Sequence, residues 1–220
     1  MKFKTEVDLV SALIDFVKCQ YKTRNNIEIL SEVSLGFGVA DVVITNMLDE
    51  KNTNIREEKL NLHDINLYDL ISKHQQGLDI NTMVMILRGS KSKIKTSLNK
   101  LVTLNYIIEN NFLYSINNEY QFAFKNNFAI EAKLKDWKKA LKQAYRYKWF
   151  AEYSFVVIDE YYSKKAIENI DVFKKYNVGL ITISPDKGIK KHHYPSPEQP
   201  YDNRMKMLLS EIIYSGSCIC

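Results

Sequence analysis

The sequence predicts an α/β protein, a mixed sheet with helices on its faces, whose chain is interrupted by a helix-rich segment. Three observations predict it. A pair of strand patterns lies near the N-terminus. Strand and helix patterns alternate from about residue 126 onward, the usual signature of a sheet covered by helices. Between them, residues 62–122 switch to mainly helical periodicity.

The elements follow in order. Residues 5–18, TEVDLVSALIDFVK, place Val7, Val10, Ile14 and Val17 at helical spacing. Leu9, Leu13 and Phe16 widen that stripe, so an amphipathic helix is predicted. IEILSEV (27–33) and VADVVIT (39–45) read as strands joined by the turn LGFG, a β-hairpin. The polar stretch from Asn46 to Asn61 reads as a linker. NLYDLISKHQQ (66–76) and DINTMVMILRG (79–89) are helical, and SKSKIKTSLNKLVTLNYI (90–107) is a third helix buried through Ile94, Leu98, Leu101 and Leu104. YIIENNFLYSINNEYQF then suggests a hairpin. NNFAIEAKLK (126–135) reads as a strand, DWKKALKQAYRYKWFAE as a long helix, YSFVVIDEY as a buried strand, KKAIENIDVFKKYN as a helix and VGLITISP as another strand. KGIKKHHYPSPEQP reads as an irregular loop, and a last helix spans about 202–214.

Composition narrows the class. Hydrophobic residues make up 45% and charged residues 26%, enough apolar material for a proper core. MKFKTEVDLV lacks the apolar stretch of a signal peptide, and no apolar run is long enough for a membrane span, so a cytoplasmic protein without membrane contact is expected. Three cysteines without framework spacing fit a reducing compartment. Cys218 and Cys220 with His192 and His193 match no familiar zinc spacing and read as a frayed tail. The net charge of +5 says little about partners; the placement of the bases says more.

Chemistry concentrates in AIEAKLK. On a strand Phe128, Ile130, Ala132 and Leu134 share one face, and Glu131 and Lys133 share the other. Alone, such a pair is a common surface ion pair. Asp41, however, sits inside the apolar strand VADVVI, where a carboxylate is costly without a cation or donor. Glu6 lies at the edge of the first helix's buried stripe. Gln143 and Tyr147, four apart, share one helix face.

This ordered set resembles the PD-(D/E)xK nuclease superfamily: a helix with Glu, a strand with Asp, a strand with Glu-x-Lys, then a helix whose Gln143 and Tyr147 look like the Q-x-x-x-Y pattern of RecB-like members. Ala40 stands where the name-giving proline would be. The resemblance covers about residues 1–46 and 123–185 and implies a restriction-endonuclease-like mixed sheet. It divides the chain into a discontinuous nuclease-like domain, 1–61 with 123–220, and an insertion, 62–122, whose three helices and hairpin resemble a winged helix-turn-helix.

The resemblance implies Mg²⁺-dependent (or Mn²⁺-dependent) phosphodiester cleavage, since hard oxygen ligands select those ions. Asp41, Glu131 and Glu6 would hold metal, Lys133 would orient or deprotonate the attacking water, and Gln143 and Tyr147 would position the site. Nucleic acid, expected to be DNA, would meet Lys91, Lys93 and Lys95 on the insertion and Lys139, Lys142 and Arg146 on the helix after the Glu-x-Lys strand. Cutting both strands would favour a homodimer. Two other readings stand beside this: a non-catalytic DNA-binding regulator on a nuclease-like fold, and a partner-binding domain.

Overall fold

The computed structural model describes residues 1–21, 26–36, 38–48, 58–186 and 188–216. The chain forms two compact units, Met1–Asn54 with Ala123–Lys206, and Ile55–Phe122 with Met207–Gly216.

The first unit is a six-stranded mixed sheet in the order β1-β2-β5-β6-β7-β8. β1 (Ile27–Ser34), β2 (Val39–Met47) and β5 (Phe124–Lys133) pair antiparallel. β5, β6 (Tyr153–Asp159) and β7 (Gly179–Ser184) run parallel. Their connections pass through α5 (Trp137–Arg146), and through α6 (Lys164–Glu168) and α7 (Ile170–Lys175). Every residue of β7 is buried, as expected of a strand with both faces covered. Helix α1 (Glu6–Gln20) lays Leu9, Leu13 and Val17 against a core built from Val42, Ile130, Ala132, Phe155, Val157, Ile181 and Ile183. Those strand residues occupy one face of the sheet, so Asp41, Glu131 and Lys133, one position off, are turned to the other.

The first turn of α1 is fixed by a capping box. Thr5 Oγ1 accepts the Asp8 N–H at 3.1 Å, and Asp8 Oδ2 accepts the Thr5 N–H at 3.0 Å. Upstream, the buried Asp159 at the end of β6 accepts the Phe3 N–H at 2.9 Å and pins the N-terminal segment.

Gly188–His193 is a strand, β8, where the sequence reading expected irregular loop. It pairs antiparallel with β7 at the sheet edge. Lys190 and Lys191 project to solvent there, so the apolar alternation that announces a strand is missing. The helix expected over 164–177 is two short helices broken at Asn169, and α5 ends at Arg146 in a tight turn over Tyr147–Trp149.

The second unit contains α2 (Leu62–Ser72), α3 (Ile80–Leu87), α4 (Lys91–Thr103) and a two-stranded antiparallel sheet of β3 (Ile107–Asn110) and β4 (Leu113–Ile116). α2 starts before the expected residue 66 because Asn61 caps it, its side chain accepting from His63 N and Asp64 N. Leu67, Ile71, Met83, Ile94, Leu98 and Leu101 pack with Tyr68, Tyr106 and Tyr120 in one core. Met207, in α8 (Asn203–Tyr214), joins this core, and the segment from it to Gly216 groups with the unit although the sequence reading left it with 123–220. The middle of the expected linker (49–57), Phe37 of the LGFG turn, and Cys218 and Cys220 lie outside the described residues.

Candidate functional site

The site forms where β2 and β5 part. Their ladder ends at Val42↔Ile130. One step further, Asp41 Oδ2 accepts the Ala132 N–H at 2.7 Å, so the side chain takes over the backbone bond that the strands no longer supply. Glu131 and Lys133 occupy the last positions of β5, and Glu6 is the first residue of α1.

Lys133 brings the acids together. Its Nζ lies 2.9 Å from Glu131 Oε1, 3.1 Å from Glu6 Oε2 and 3.9 Å from Asp41 Oδ2, and donates to the Ala132 carbonyl at 3.1 Å. Three carboxylates from three elements thus face one cation. Glu131 Oε1 lies at ion-pair distance from Lys133 without the angle of a directed hydrogen bond, which leaves a buried carboxylate oxygen lacking an aimed donor. Its Oε2 meets the Tyr147 hydroxyl. That hydroxyl also lies 2.6 Å from the Val39 carbonyl, and one proton cannot serve both acceptors.

Burial pushes the Asp41 carboxyl above its usual range, against the Ala132 N–H and Lys133, which favour the anion. Burial likewise raises Glu131, opposed by the Tyr147 hydroxyl and Lys133. For Lys133, burial works downward, but its close contact with the charged Glu131, with Asp41 and Glu6 adding to it, outweighs that and holds the ammonium above its ordinary value. Tyr147 is raised by burial and by Glu131, so its hydroxyl keeps its proton.

Gln143 sits one turn before Tyr147 on α5, with a buried Oε1 that has no hydrogen-bond partner. Lys139, Lys142 and Arg146 are exposed on the same helix, whose buried side is Ala140, Leu141 and Ala144. In the second unit Lys91, Lys93 and Lys95 are exposed in the first turns of α4, and Lys91 Nζ donates to Asn81 Oδ1 at 2.9 Å.

One residue escaped the sequence reading. Glu32, on β1, lines a cleft of about 450 Å³ together with Glu6, Ser31 and Asp41. Its φ of +53° is a left-handed conformation that glutamate rarely adopts. Its type and spacing in IEILSEV gave no signal, because it looks like one more solvent-facing strand residue.

No protein-family model, curated protein or solved structure matches the chain. Among the described residues no three histidine, cysteine, aspartate or glutamate side chains lie close enough together to form a metal cluster, and Lys133 occupies the centre of the acids. The donor set is nonetheless of the right kind for a small hard cation: carboxylate oxygens only, one of them buried without an aimed donor. Among the described residues no helix is long and apolar enough to cross a membrane.

Proposed function

We propose that this chain is a metal-dependent nuclease of the PD-(D/E)xK type acting on DNA. One observation carries the reading: Glu6, Asp41 and Glu131, from a helix and two strands far apart in sequence, converge on Lys133 at the ends of β2 and β5. A surface ion pair needs no such convergence, and burying Glu131 beside two further acids costs stability that structure alone does not call for.

Asp41 and Glu131, with Glu6 beside them, would hold Mg²⁺ or Mn²⁺. Such an ion would polarise the scissile phosphate and lower the pKa of a water. Lys133, freed from part of its carboxylate contact, would hold the attacking water and offset charge growing on the phosphate oxygens. Tyr147 keeps Glu131 in place by donating to it, and the unpartnered Gln143 Oε1 is available to position a further donor. The second unit supports DNA as substrate. Three helices and a hairpin follow the order of a winged helix-turn-helix, and Lys91, Lys93 and Lys95 stand exposed on its third helix. Cutting both strands of a duplex would favour a homodimer that carries two such sites.

The test is Mg²⁺- or Mn²⁺-dependent cleavage of single- and double-stranded DNA and RNA, with Asp41→Ala as control. Cleavage by the parent and none by Asp41→Ala supports the reading. A parent that binds duplex tightly yet cuts nothing with either ion makes the chain a DNA-binding regulator.

A further inference from the structure

The second unit holds a relay of hydrogen bonds that fixes one histidine. Asp64 is buried on α2, and its Oδ2 accepts the Asn61 N–H at 3.0 Å and pairs with Lys100 Nζ at 3.2 Å. An ionised Asp64 can only accept, so Ser97 spends its single hydroxyl proton on Asp64 Oδ1 at 2.5 Å. His63 Nδ1 lies 3.0 Å from that same Ser97 oxygen. With its proton committed, Ser97 Oγ can only accept, and His63 Nδ1 must carry the hydrogen. The neutral ring therefore presents Nε2 as a bare acceptor. Nε2 faces the turn before α4: a Cβ built on Gly89 would come within 3.9 Å of it.

That turn borders a cleft of about 330 Å³, lined by His63, Asn66, Arg88, Ser90 and Lys93 and by no carboxylate. Three of these are basic groups from three places in the unit: α2, the turn into α4, and α4 itself. Arg88 closes α3 in a left-handed conformation, φ +50°, and is exposed. The charged groups near His63 on its other side are already engaged, Asp64 as above and Glu58 with Lys100 at 3.7 Å.

We propose that this cleft is a phosphodiester-binding site made of His63, Arg88 and Lys93, and that His63 makes it proton-dependent. The proposal rests on the nucleic-acid reading for its natural ligand, though the site itself needs only a phosphate. A neutral His63 points a lone pair at the phosphate oxygens and repels them. Protonated, it adds a third N–H donor beside Arg88 and Lys93. Because Asp64 and Ser97 hold the hydrogen on Nδ1, the ring cannot escape the choice by changing tautomer. Phosphate binding and proton uptake are then linked.

Two measurements test this on the full chain. The first is affinity for a fluorescent duplex between about pH 6 and pH 8, an interval in which an imidazole changes charge, at fixed ionic strength. The parent should bind roughly 3- to 10-fold tighter at the acid end, and His63→Gln should lose most of that slope. Ser97→Ala should flatten it differently, by raising affinity at the alkaline end, because the neutral ring can then place its hydrogen on Nε2. Equal slopes in parent and His63→Gln overturn the proposal. The second measurement follows the His63 imidazole by NMR while inorganic pyrophosphate is added at about pH 6. A shift of its Nε2 signal that vanishes in Lys93→Gln supports the site even if the chain binds no DNA, which would sink only the nucleic-acid reading. A signal indifferent to pyrophosphate in a chain that binds no DNA overturns the site itself.

Discussion

Asp41 and Glu131 illustrate what it costs to hold two carboxyls in a buried cluster. Both carboxyls titrate above the ordinary carboxylate range, burial being the leading cause. Between the ordinary value and the raised one the folded chain holds more protons than the unfolded chain. Stability there falls as pH rises, and the full penalty stands above the raised values. Asp41→Asn and Glu131→Gln should therefore melt higher than the parent in chelator at about pH 8, with the gain shrinking toward about pH 4. The same variants should lose cleavage while keeping or tightening DNA affinity, because each removes a charge that repels phosphate and would hold the cation. Melting curves across pH beside single-turnover cleavage separate these outcomes; variants that cut like the parent would show the site to be misassigned. Tyr147 is a separate case. Tyr147→Phe leaves Glu131 Oε2 and the Val39 carbonyl without their shared hydroxyl. A loss of roughly 1–3 kcal/mol in denaturant unfolding is expected for a buried carboxylate oxygen stripped of its donor.

At the level of elements, the close packing of β6 on β7 gives a sharp test. Gly179 pairs with Phe155 across the parallel ladder, and a Cβ added there would come 2.1 Å from the Phe155 ring. Gly179→Ala should cost about 1–3 kcal/mol by overpacking, and Phe155→Leu should recover part of it in the double variant. Chemical denaturation of the four proteins measures the coupling; an unchanged Gly179→Ala would mean that the ring moves freely aside. Legibility in the sequence follows the same physics. Strands β2, β5, β6 and β7 were readable because burial on one or both faces writes apolar runs into them. β8 was not, because an edge strand beside solvent carries Lys190 and Lys191 in place of that pattern. The start of α2 was missed because its signal is a capping box, Asn61 with Asp64, lying ahead of the apolar stripe. Within the site, an acid embedded in an apolar strand marked Asp41, whereas Glu32 lies on a strand whose pattern is ordinary and becomes notable only through its backbone angle. The meeting of Glu6 with Lys133 is a contact across 127 positions, which no local pattern encodes.

Across the whole molecule, the proposed function assigns phosphate contacts and chemistry to different residues, and this can be measured. The described bases of interest are exposed: Lys91, Lys93 and Lys95 on α4, and Lys139, Lys142 and Arg146 on α5. The acids and Lys133 are bound to one another at the ends of β2 and β5. Exposed cations that meet backbone phosphates act by releasing counterions, so each contact removed should weaken binding across all sequences and lower the salt slope by about one. In the proposed reaction they would not touch the reacting atoms. Lys93→Gln with Lys95→Gln, and separately Lys139→Gln with Lys142→Gln, should each raise Kd and flatten its dependence on salt. Cleavage in a single turnover at saturating protein should stay within about threefold of the parent, because a group that binds ground and transition states alike leaves the chemical step unchanged. Lys133→Ala should do the reverse, with affinity kept, the salt slope unchanged and turnover abolished, while calorimetry still detects Mn²⁺ bound by the remaining carboxylates. Anisotropy titrations at several salt concentrations, run beside single-turnover cleavage, place each variant in one group or the other. If the α4 and α5 pairs slow the chemical step as severely as Lys133→Ala while leaving the salt slope intact, the division between phosphate contacts and reacting groups is wrong. The candidate centre would then have to be sought on the helices.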